Sequence, residues 1–207
     1  MKVATRTAVS SSVNASTVGQ SVTFTATITS LSGGAASPTG TVTFYDNGTS
    51  IGTGTVSTTA GVSTATFTTS SLALGTHPIT ALYGGDGSHG GSLSNPPLNQ
   101  VVKVATRTAL QSSLNPSTPG QAVTFTATIT SLSGGAANPT GTVTFRDNGT
   151  SIGTGTVSTT GGVTTATFTT SSLSVGTHPI TALYNGDGSH GGSLSNPALN
   201  QVVNSGG

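Results

Sequence analysis

Apolar and polar residues alternate along most of this chain of 207 residues. The segment VTFTATITS, at 22–30, places valine, phenylalanine, alanine and isoleucine between four threonines, and it recurs unchanged at 123–131. Strict alternation of this kind is typical of a β-strand that has one face in a core and the other toward water. No window sustains a period of 3.6 residues, so the pattern predicts essentially no helix.

Turn signals separate these alternating segments at intervals of about 8–12 residues. In the first half we predict an edge strand TRTAV, a strand SVTFTATITS, a hairpin TVTFYDNGTSIGTGTV, a strand VSTATFTTS, a strand after LALGTH and a closing segment SLSNPPLNQVV. Asn47-Gly48 lies at the tip of the hairpin and favours a type I′ turn, in which both central residues need positive φ. About seven short antiparallel strands predict a β-sandwich of the immunoglobulin-like kind.

The second half of the chain repeats the first. Residues 2–102 align with residues 103–203 without a gap, and 87 of the 101 aligned positions are identical. A unit of this length matches a small sandwich domain and is too long for a solenoid repeat. We therefore predict an all-β protein with two tandem domains, 1–102 and 103–207, in which 204–207 form a flexible tail. No linker sequence separates the copies, so we expect a stiff pair.

The alternation also assigns the core, and the assigned residue types are the same in both copies. In the first copy the predicted core positions are Val22, Phe24, Ala26, Ile28, Val42, Phe44, Ile51, Val56, Ala65, Phe67, Leu72, Ile79, Ala81 and Tyr83.

The composition excludes several classes of protein. Only 4% of residues are charged, against about a quarter in an average soluble domain, and the net charge is +1. We therefore expect no nucleic-acid partner. Cysteine is absent, which excludes a disulfide-stapled fold. No apolar run approaches the ~20 residues of a membrane helix, and the first residues lack the apolar core of a signal peptide. We expect no membrane insertion, and any export signal would lie outside this sequence.

The motifs NPSTPGQAVTFTATIT, PTGTVTFRDNGTSIGTGTV and GVTTATFTTSSLSVGTHPITALYNGDGSHGGS together resemble a bacterial immunoglobulin-like domain repeat. Such repeats occur in tandem in very large prokaryotic surface proteins. The resemblance implies a sandwich that serves as a spacer or adhesive module outside the cell, without shared catalytic residues.

Pro78 and Pro179 depart from the family pattern after GTH. Proline lacks a backbone donor, so we expect this strand to start at a position outside the ladder.

His77 and His178 are the first candidates for chemistry. Each lies at the predicted corner before a strand, where a side chain packs and bonds to the backbone. The alternative is a ligand or a general base. No carboxylate or second histidine has a plausible spacing to either residue, so we favour the structural role.

The loop GGDGSHGG holds the second set of candidates: Asp86, Ser88 and His89, repeated as Asp187, Ser189 and His190. A Ser/His/Asp site needs side chains that converge from a rigid scaffold, and neighbours on a glycine-rich turn do not. Calcium is a stronger alternative because carboxylates and carbonyls are suitable ligands, but one carboxylate per loop is few. We favour a turn in which the aspartate bonds to its own backbone. We therefore predict no catalytic residues, no metal site and no cofactor.

Asn14, Asn47 and Asn148 lie in N-x-S/T sequons, but the turn explains the second and third better than a glycan does. Threonine favours strands and keeps an uncharged surface soluble, so the threonine faces suit a protein in a variable extracellular medium. They also predict Thr–Thr contacts between strands.

Three functions remain open from sequence. The first is a non-enzymatic spacer in a bacterial surface protein or adhesin, whose partners are neighbouring repeats and whose surface ligand is bound elsewhere in the parent protein. The second is a subunit of an extracellular filament, with copies of the same chain as partners. The third is a weak glycan- or calcium-binding module at Asp86 and Asp187.

Overall fold

The alternating segments form β-strands, as predicted, in a computed structural model that describes residues 1–33 and 36–206. Gly34, Ala35 and Gly207 lie outside this range, and the last of them belongs to the predicted tail. The described part of the chain contains no helix, and so none that is long and apolar enough to cross a membrane. The chain divides into two compact units, Met1–Val102 and Lys103–Gly207.

Ten strand segments begin in the first unit: β1 (Thr5–Ser11), β2 (Ser16–Thr17), β3 (Val22–Ser30), β4 (Thr41–Asp46), β5 (Thr49–Thr55), β6 (Ser57–Thr59), β7 (Val62–Thr69), β8 (Gly75–Tyr83), β9 (Ser92–Leu93) and β10 (Leu98–Lys103). Seven of them have six residues or more, which agrees with the predicted number of strands. The predicted closing strand is split into β9 and β10.

The second unit repeats this order: β11 (Thr106–Ser112), β12 (Val123–Ser131), β13 (Thr142–Asp147), β14 (Thr150–Thr156), β15 (Ser158–Thr160), β16 (Val163–Thr170), β17 (Gly176–Tyr184), β18 (Ser193–Leu194) and β19 (Leu199–Val203). The counterpart of β2 is reduced to a single parallel bridge between Ser117 and Val203.

Each unit is a sandwich of two sheets. In the first unit one sheet has the order β1-β3-β7-β6, and the other has the order β2-β10-β8-β4-β5, with β9 also paired to β8. The second unit has the sheets β11-β12-β16-β15 and β14-β13-β17-β18, with β19 paired to β17. The segment TRTAV lies in β1, which is an edge strand as predicted. The chain crosses between the two sheets several times, and the inward residues of both sheets meet in one core.

The parity of the strands places the core where the alternation predicts it. Val56 and ten residues on the inward faces of β3, β4, β7 and β8 form the buried cluster of the first unit, and Ile51, Phe67 and Leu72 pack against it half-buried. All fourteen predicted core positions are thereby confirmed. The equivalent positions form a separate core in the second unit.

The hairpin between β4 and β5 turns at Asn47 and Gly48, whose φ angles are 47° and 81°. Positive φ at both central residues is the requirement of a type I′ turn, so this prediction is confirmed. Glycines in β5 then let the hairpin approach β7 closely. A Cβ atom at Gly52 would overlap the ring of Phe67, and one at Gly54 would overlap the carbonyl oxygen of Thr66.

The threonines of β3 lie on the outer face of its sheet. In the pair of β3 with β7 they stand beside threonines of the neighbouring strand, and the hydroxyls of Thr23 and Thr68 are 2.8 Å apart. Thr124 and Thr169 repeat this contact at 2.8 Å in the second unit. The predicted Thr–Thr contacts therefore exist, and they pair hydroxyl groups across the sheet without using charge.

The prediction that Pro78 lies at the start of its strand is wrong, because β8 begins three residues earlier, at Gly75. The carbonyl of Pro78 accepts a hydrogen bond from the backbone N–H of Asn47 at 3.0 Å. In a strand the carbonyl and nitrogen of one residue point to the same side. The N–H that proline lacks would therefore face the hairpin turn, beyond the end of β4, where no ladder bond is lost. Pro179 has the same arrangement.

Candidate functional site

Two polar clusters stand out in each unit because an aspartate and a histidine meet in both. The first follows β8, where the loop GGDGSHGG folds back on itself. We call it the loop cluster and define it by Thr39, Tyr83, Asp86 and His89 in the first unit; its counterpart in the second unit is Thr140, Tyr184, Asp187 and His190. The second lies at the other end of β8. We call it the corner cluster, formed by Asp46, Ala73 and His77, with the counterpart Asp147, Ser174 and His178.

Glycines allow the loop cluster to form. Gly85 has a φ of 81°, and a Cβ atom there would lie 2.8 Å from the carbonyl oxygen of His89. A Cβ atom at Gly91 would lie 2.7 Å from the carbonyl oxygen of Tyr83. The loop is therefore too tight at these two positions for any side chain, which explains why both residues are glycine.

Asp86 accepts hydrogen bonds at both carboxylate oxygens. Oδ1 accepts from the backbone N–H groups of Ser88 and His89, at 2.8 and 2.7 Å. Oδ2 accepts from the backbone N–H of Thr39 at 2.9 Å and from the hydroxyl of Tyr83 at 3.1 Å. The predicted turn, in which the aspartate bonds to its own backbone, is confirmed. The bonds to Thr39 and Tyr83 are additional, and they tie the loop to the start of β4.

These hydrogen bonds, together with burial, shift the pKa values of the aspartate and the tyrosine. The backbone N–H of Thr39, followed by those of Ser88 and His89, outweighs burial and holds the pKa of Asp86 well below its ordinary value. In the second unit burial again opposes the shift, but the equivalent donors still lower the pKa of Asp187. Burial, together with the neighbouring carboxylate, raises the pKa of Tyr83 to about 12. The carboxylate of Asp86 therefore stays charged, and the phenol of Tyr83 stays neutral, across the ordinary pH range.

His89 is fully buried, and its Nδ1 lies 2.9 Å from Oδ1 of Asp86. Its backbone joins a short parallel bridge with the segment before β1. The N–H of Val3 donates to the carbonyl of Ser88, and the N–H of Gly90 donates to the carbonyl of Val3, both at 2.8 Å. The loop cluster thus fastens the first residues of its own unit. Val104 is held in the same way by the loop of the second unit.

The loop cluster is poorly suited to the two chemical alternatives. Ser88 joins it through its backbone N–H, so the hydroxyl, histidine and carboxylate do not form a relay. Both oxygens of Asp86 already accept N–H and O–H donors, which leaves the carboxylate little capacity for calcium. The described residues contain no group of three or more histidines, cysteines or acids that could hold a metal ion.

The corner cluster corrects one sequence inference. A carboxylate does pair with His77, since its Nδ1 lies 2.6 Å from Oδ2 of Asp46. Its Nε2 lies 2.8 Å from the carbonyl oxygen of Ala73. The pair could not be predicted from spacing along the chain, because Asp46 ends β4 and His77 lies in β8. The pairing of these two strands brings the residues together. The structural role of the corner histidine is supported, and it includes an ion pair.

The glutamine of the last strand was not identified from sequence. Gln100 is fully buried, and its Nε2 donates to the carbonyl of Val13 at 2.9 Å and the hydroxyl of Ser16 at 3.1 Å. Beside it, Asn14 donates to the carbonyl of Asn99 and accepts from the N–H of Val101. These bonds fix the segment after β1 against β10. The repeated motif LNQVV was the available signal, because a polar residue interrupts an otherwise apolar inward face.

The other two sequons have turn conformations. Asn47 and Asn148 have φ angles of 47° and 46°, as the first positions of their hairpin turns. The turn, rather than glycosylation, therefore accounts for asparagine at these two positions.

A sequence model of one family matches both units. The family is described as "Bacterial Ig-like domain (group 3)", and its model matches residues 9–104 and 110–204. No curated protein matches the chain in sequence.

Several solved structures are similar to the chain. The fibronectin(III)-like modules of CbhA from Clostridium thermocellum share 20% identity with it, over 95% of this chain and 94% of theirs, with a TM-score of 0.49. The Escherichia coli adhesin FdeC shares 15% identity, over 97% of this chain and 64% of its own, with a TM-score of 0.35. The D0-D1 domain of Intimin shares 17%, over 94% of this chain and 97% of its own, with a TM-score of 0.33. At these values the similarities carry nothing about function.

The family match covers nearly all of both units, and it agrees with the motifs and with the helix-free sandwich described above. This chain belongs to the bacterial immunoglobulin-like domain family (group 3) and contains two tandem copies of that domain.

Proposed function

We propose that the chain is a non-enzymatic spacer segment of a bacterial extracellular surface protein or adhesin. It connects neighbouring modules and carries no ligand site of its own. The observation on which this proposal mainly rests is the way each unit fastens its own ends, so that almost no free chain remains between the units.

The β8–β10 ladder of the first unit ends with Val102, which pairs with Gly75, and β10 itself ends at Lys103. The first fastened residue of the second unit is Val104, whose N–H donates to the carbonyl of Ser189 at 2.8 Å. No residue lies between the end of β10 and Val104. So direct a connection has few backbone torsions to vary, and it favours a restricted connection over a flexible tether.

The surface and the polar clusters agree with this role. The outer strand faces carry threonine and serine in place of charge, so their interactions change little with salt. The carboxylates of both clusters are engaged in hydrogen bonds within their own unit. An enzyme keeps polar groups available for substrate, whereas here these groups are used to hold loops and strand ends.

The absence of cysteine allows a direct test of the short connection. Spin labels attached through Ser57→Cys and Ser158→Cys, which are exposed equivalents in the two units, would report one distance between them. We expect a narrow distance distribution in the full chain. A matched variant with six glycine and serine residues inserted after Val102 should broaden it.

Insertion of the same six residues after Ser205, outside both units' strands, is the control and should leave the distribution narrow. A distribution that is already broad in the parent chain, and unchanged by the insertion after Val102, would contradict the spacer proposal.

A further inference from the structure

The corner histidine is positioned so that its protonation state decides what it can bind. In both units the two ring nitrogens face two groups that only accept hydrogen bonds. His77 lies between the carboxylate of Asp46 at 2.6 Å and the carbonyl of Ala73 at 2.8 Å. His178 lies between the carboxylate of Asp147 at 2.6 Å and the carbonyl of Ser174 at 2.9 Å.

A neutral imidazole has one N–H and one lone pair, whereas an imidazolium has two N–H groups. Only the protonated form can donate to the carboxylate and the carbonyl at the same time. The neutral form must give up one bond and point a lone pair at an oxygen. The same geometry recurs in the two units although Ala73 is replaced by Ser174, because the partner is the backbone carbonyl.

The charged surroundings of His77 are simple. The hairpin contributes Asp46, the loop before β8 contributes the uncharged segment 70–74, and β10 places Gln100 directly opposite in the ladder. Lys103, the first residue of the second unit, donates to the carbonyl of Asp187 within its own unit. The side chains of His77 and Asp46 are 14% and 21% exposed, so water screens the pair only in part.

The titration agrees with this geometry. Burial lowers the pKa of His77, but the carbonyl of Ala73 and the carboxylate of Asp46 outweigh it, and the pKa lies above its ordinary value of 6.5. For His178 the bond to Asp147 is the largest cause, and its pKa is raised as well.

The carbonyl held by His77 belongs to the loop that joins β7 to β8. Leu72 of this loop packs half-buried on the core, and with Ile51, Phe67 and His77 it lines an open cleft of about 480 Å³. The loop is therefore held by an apolar contact and by the bond from the imidazolium. Loss of that bond leaves Leu72 as the contact that keeps the loop against the hairpin.

We propose that His77 and His178 are pH-sensitive latches that hold the loops between β7 and β8, and between β16 and β17, closed while the imidazole is protonated. When the proton leaves, the histidine keeps its bond to the aspartate or to the carbonyl, but not both, and the loop opens from the apolar cleft. The change is reversible and involves no other reactant. Each repeat then tightens in mildly acidic medium and loosens as the medium becomes alkaline.

Nuclear magnetic resonance of the full chain tests the latch through the two histidines and the two loops. Imidazole nitrogen shifts should show both nitrogens of His77 protonated at pH 5. Between pH 5 and pH 9 the protection factors of the Ser71 and Ser172 amides, which donate to threonine hydroxyls at the start of these loops, should fall about tenfold. This is the change expected for loss of one charge-assisted hydrogen bond. Amides at the centre of β3 and β12 serve as the internal reference and should not follow the histidines.

The repeat supplies a matched control within one molecule. In His77→Gln the first loop should lose its pH dependence, while the second loop, still held by His178, should keep it; His178→Gln should show the reverse. Loop protection that stays constant across this range in the parent chain would overturn the proposal. So would a pH response of the first loop that persists in His77→Gln. If that variant fails to fold, the titration of the parent chain still decides.

Discussion

The two aspartate–histidine pairs of each unit have similar chemistry and opposite surroundings. In the loop cluster the aspartate is the centre, and backbone and hydroxyl donors from three segments converge on its two oxygens. In the corner cluster the histidine is the centre, and it alone bridges two acceptors. The first arrangement keeps the carboxylate of Asp86 charged, whereas the second stabilises the protonated imidazole of His77. The geometry of the donors and acceptors, and not the pairing itself, decides which member of each pair is stabilised in its charged form.

The largest effect should come from removal of the central carboxylate of the loop cluster. Asp187→Ala leaves the backbone N–H groups of Thr140, Ser189 and His190 without their acceptor. We expect the thermal midpoint of the second unit to fall by about 5–10 °C, because several charge-assisted bonds are lost together. Calorimetry of the full chain would then show two transitions.

The matched variant for this comparison is Asp147→Ala in the corner cluster, which removes one bond from one histidine. Its transition should move less than that of Asp187→Ala. An equal or larger shift would contradict the view that the loop cluster is the stronger of the two.

A smaller effect is expected from the hydroxyl that joins the loop cluster to the segment before β4. Tyr83 donates toward the carbonyl of Thr39 at 2.8 Å and the carboxylate of Asp86 at 3.1 Å. Tyr83→Phe should lower the free energy of unfolding of the first unit by about 0.5–1 kcal/mol in urea denaturation. Tyr45→Phe changes a half-buried tyrosine outside both clusters and should have almost no effect. Similar losses in the two variants would show that the hydroxyl of Tyr83 has no special role.

The two clusters should lose their contribution to stability at opposite ends of the pH range. The folded pKa of Asp86 and Asp187 is lowered, so their stabilisation is complete above the ordinary value of 3.8 and is lost as the pH falls below it. The folded pKa of His77 and His178 is raised, so their stabilisation is complete below 6.5 and is lost as the pH rises through the folded value.

Chemical denaturation from pH 2 to pH 9 should therefore show maximal stability between about pH 4 and pH 6.5. The double variant His77→Gln and His178→Gln should flatten the alkaline side and leave the acidic side unchanged. A decline above pH 6.5 that survives in this double variant would assign the alkaline loss to other groups.

The sequence predicts the fold more completely than it predicts these clusters. The alternation in β3 and β12 identifies the inward residues because the period of a strand is local. The Asn47-Gly48 turn is likewise set by two adjacent residues. The turn at Asp86, whose side chain bonds to its own backbone, could be predicted for the same reason, since its partners Ser88 and His89 are two and three residues away.

Contacts between strands that are distant in sequence could not be predicted from these local patterns. The pair of His77 with Asp46 spans 31 positions, and the bond of Asp86 to Thr39 spans 47. Each depends on the register of β4 and its neighbours, which alternation alone does not specify. The position of Pro78 within its strand was not predicted for the same reason. Its nitrogen faces the hairpin turn beyond the end of β4, where the sheet needs no N–H donor, and the end of β4 depends on the strand register.

The smallest effect should come from the side chain that made the loop resemble a catalytic triad. Ser88 donates its backbone N–H to Asp86 at 2.8 Å, and its exposed hydroxyl has no bond to His89. Ser88→Ala keeps the N–H and should change the free energy of unfolding by less than about 0.5 kcal/mol. Ser88→Pro removes the N–H and is the informative partner variant, since it should destabilise the first unit clearly. If Ser88→Ala were as damaging as Ser88→Pro, the hydroxyl would have a role that the hydrogen bonds of this loop do not show, and the serine would return as a candidate for chemistry.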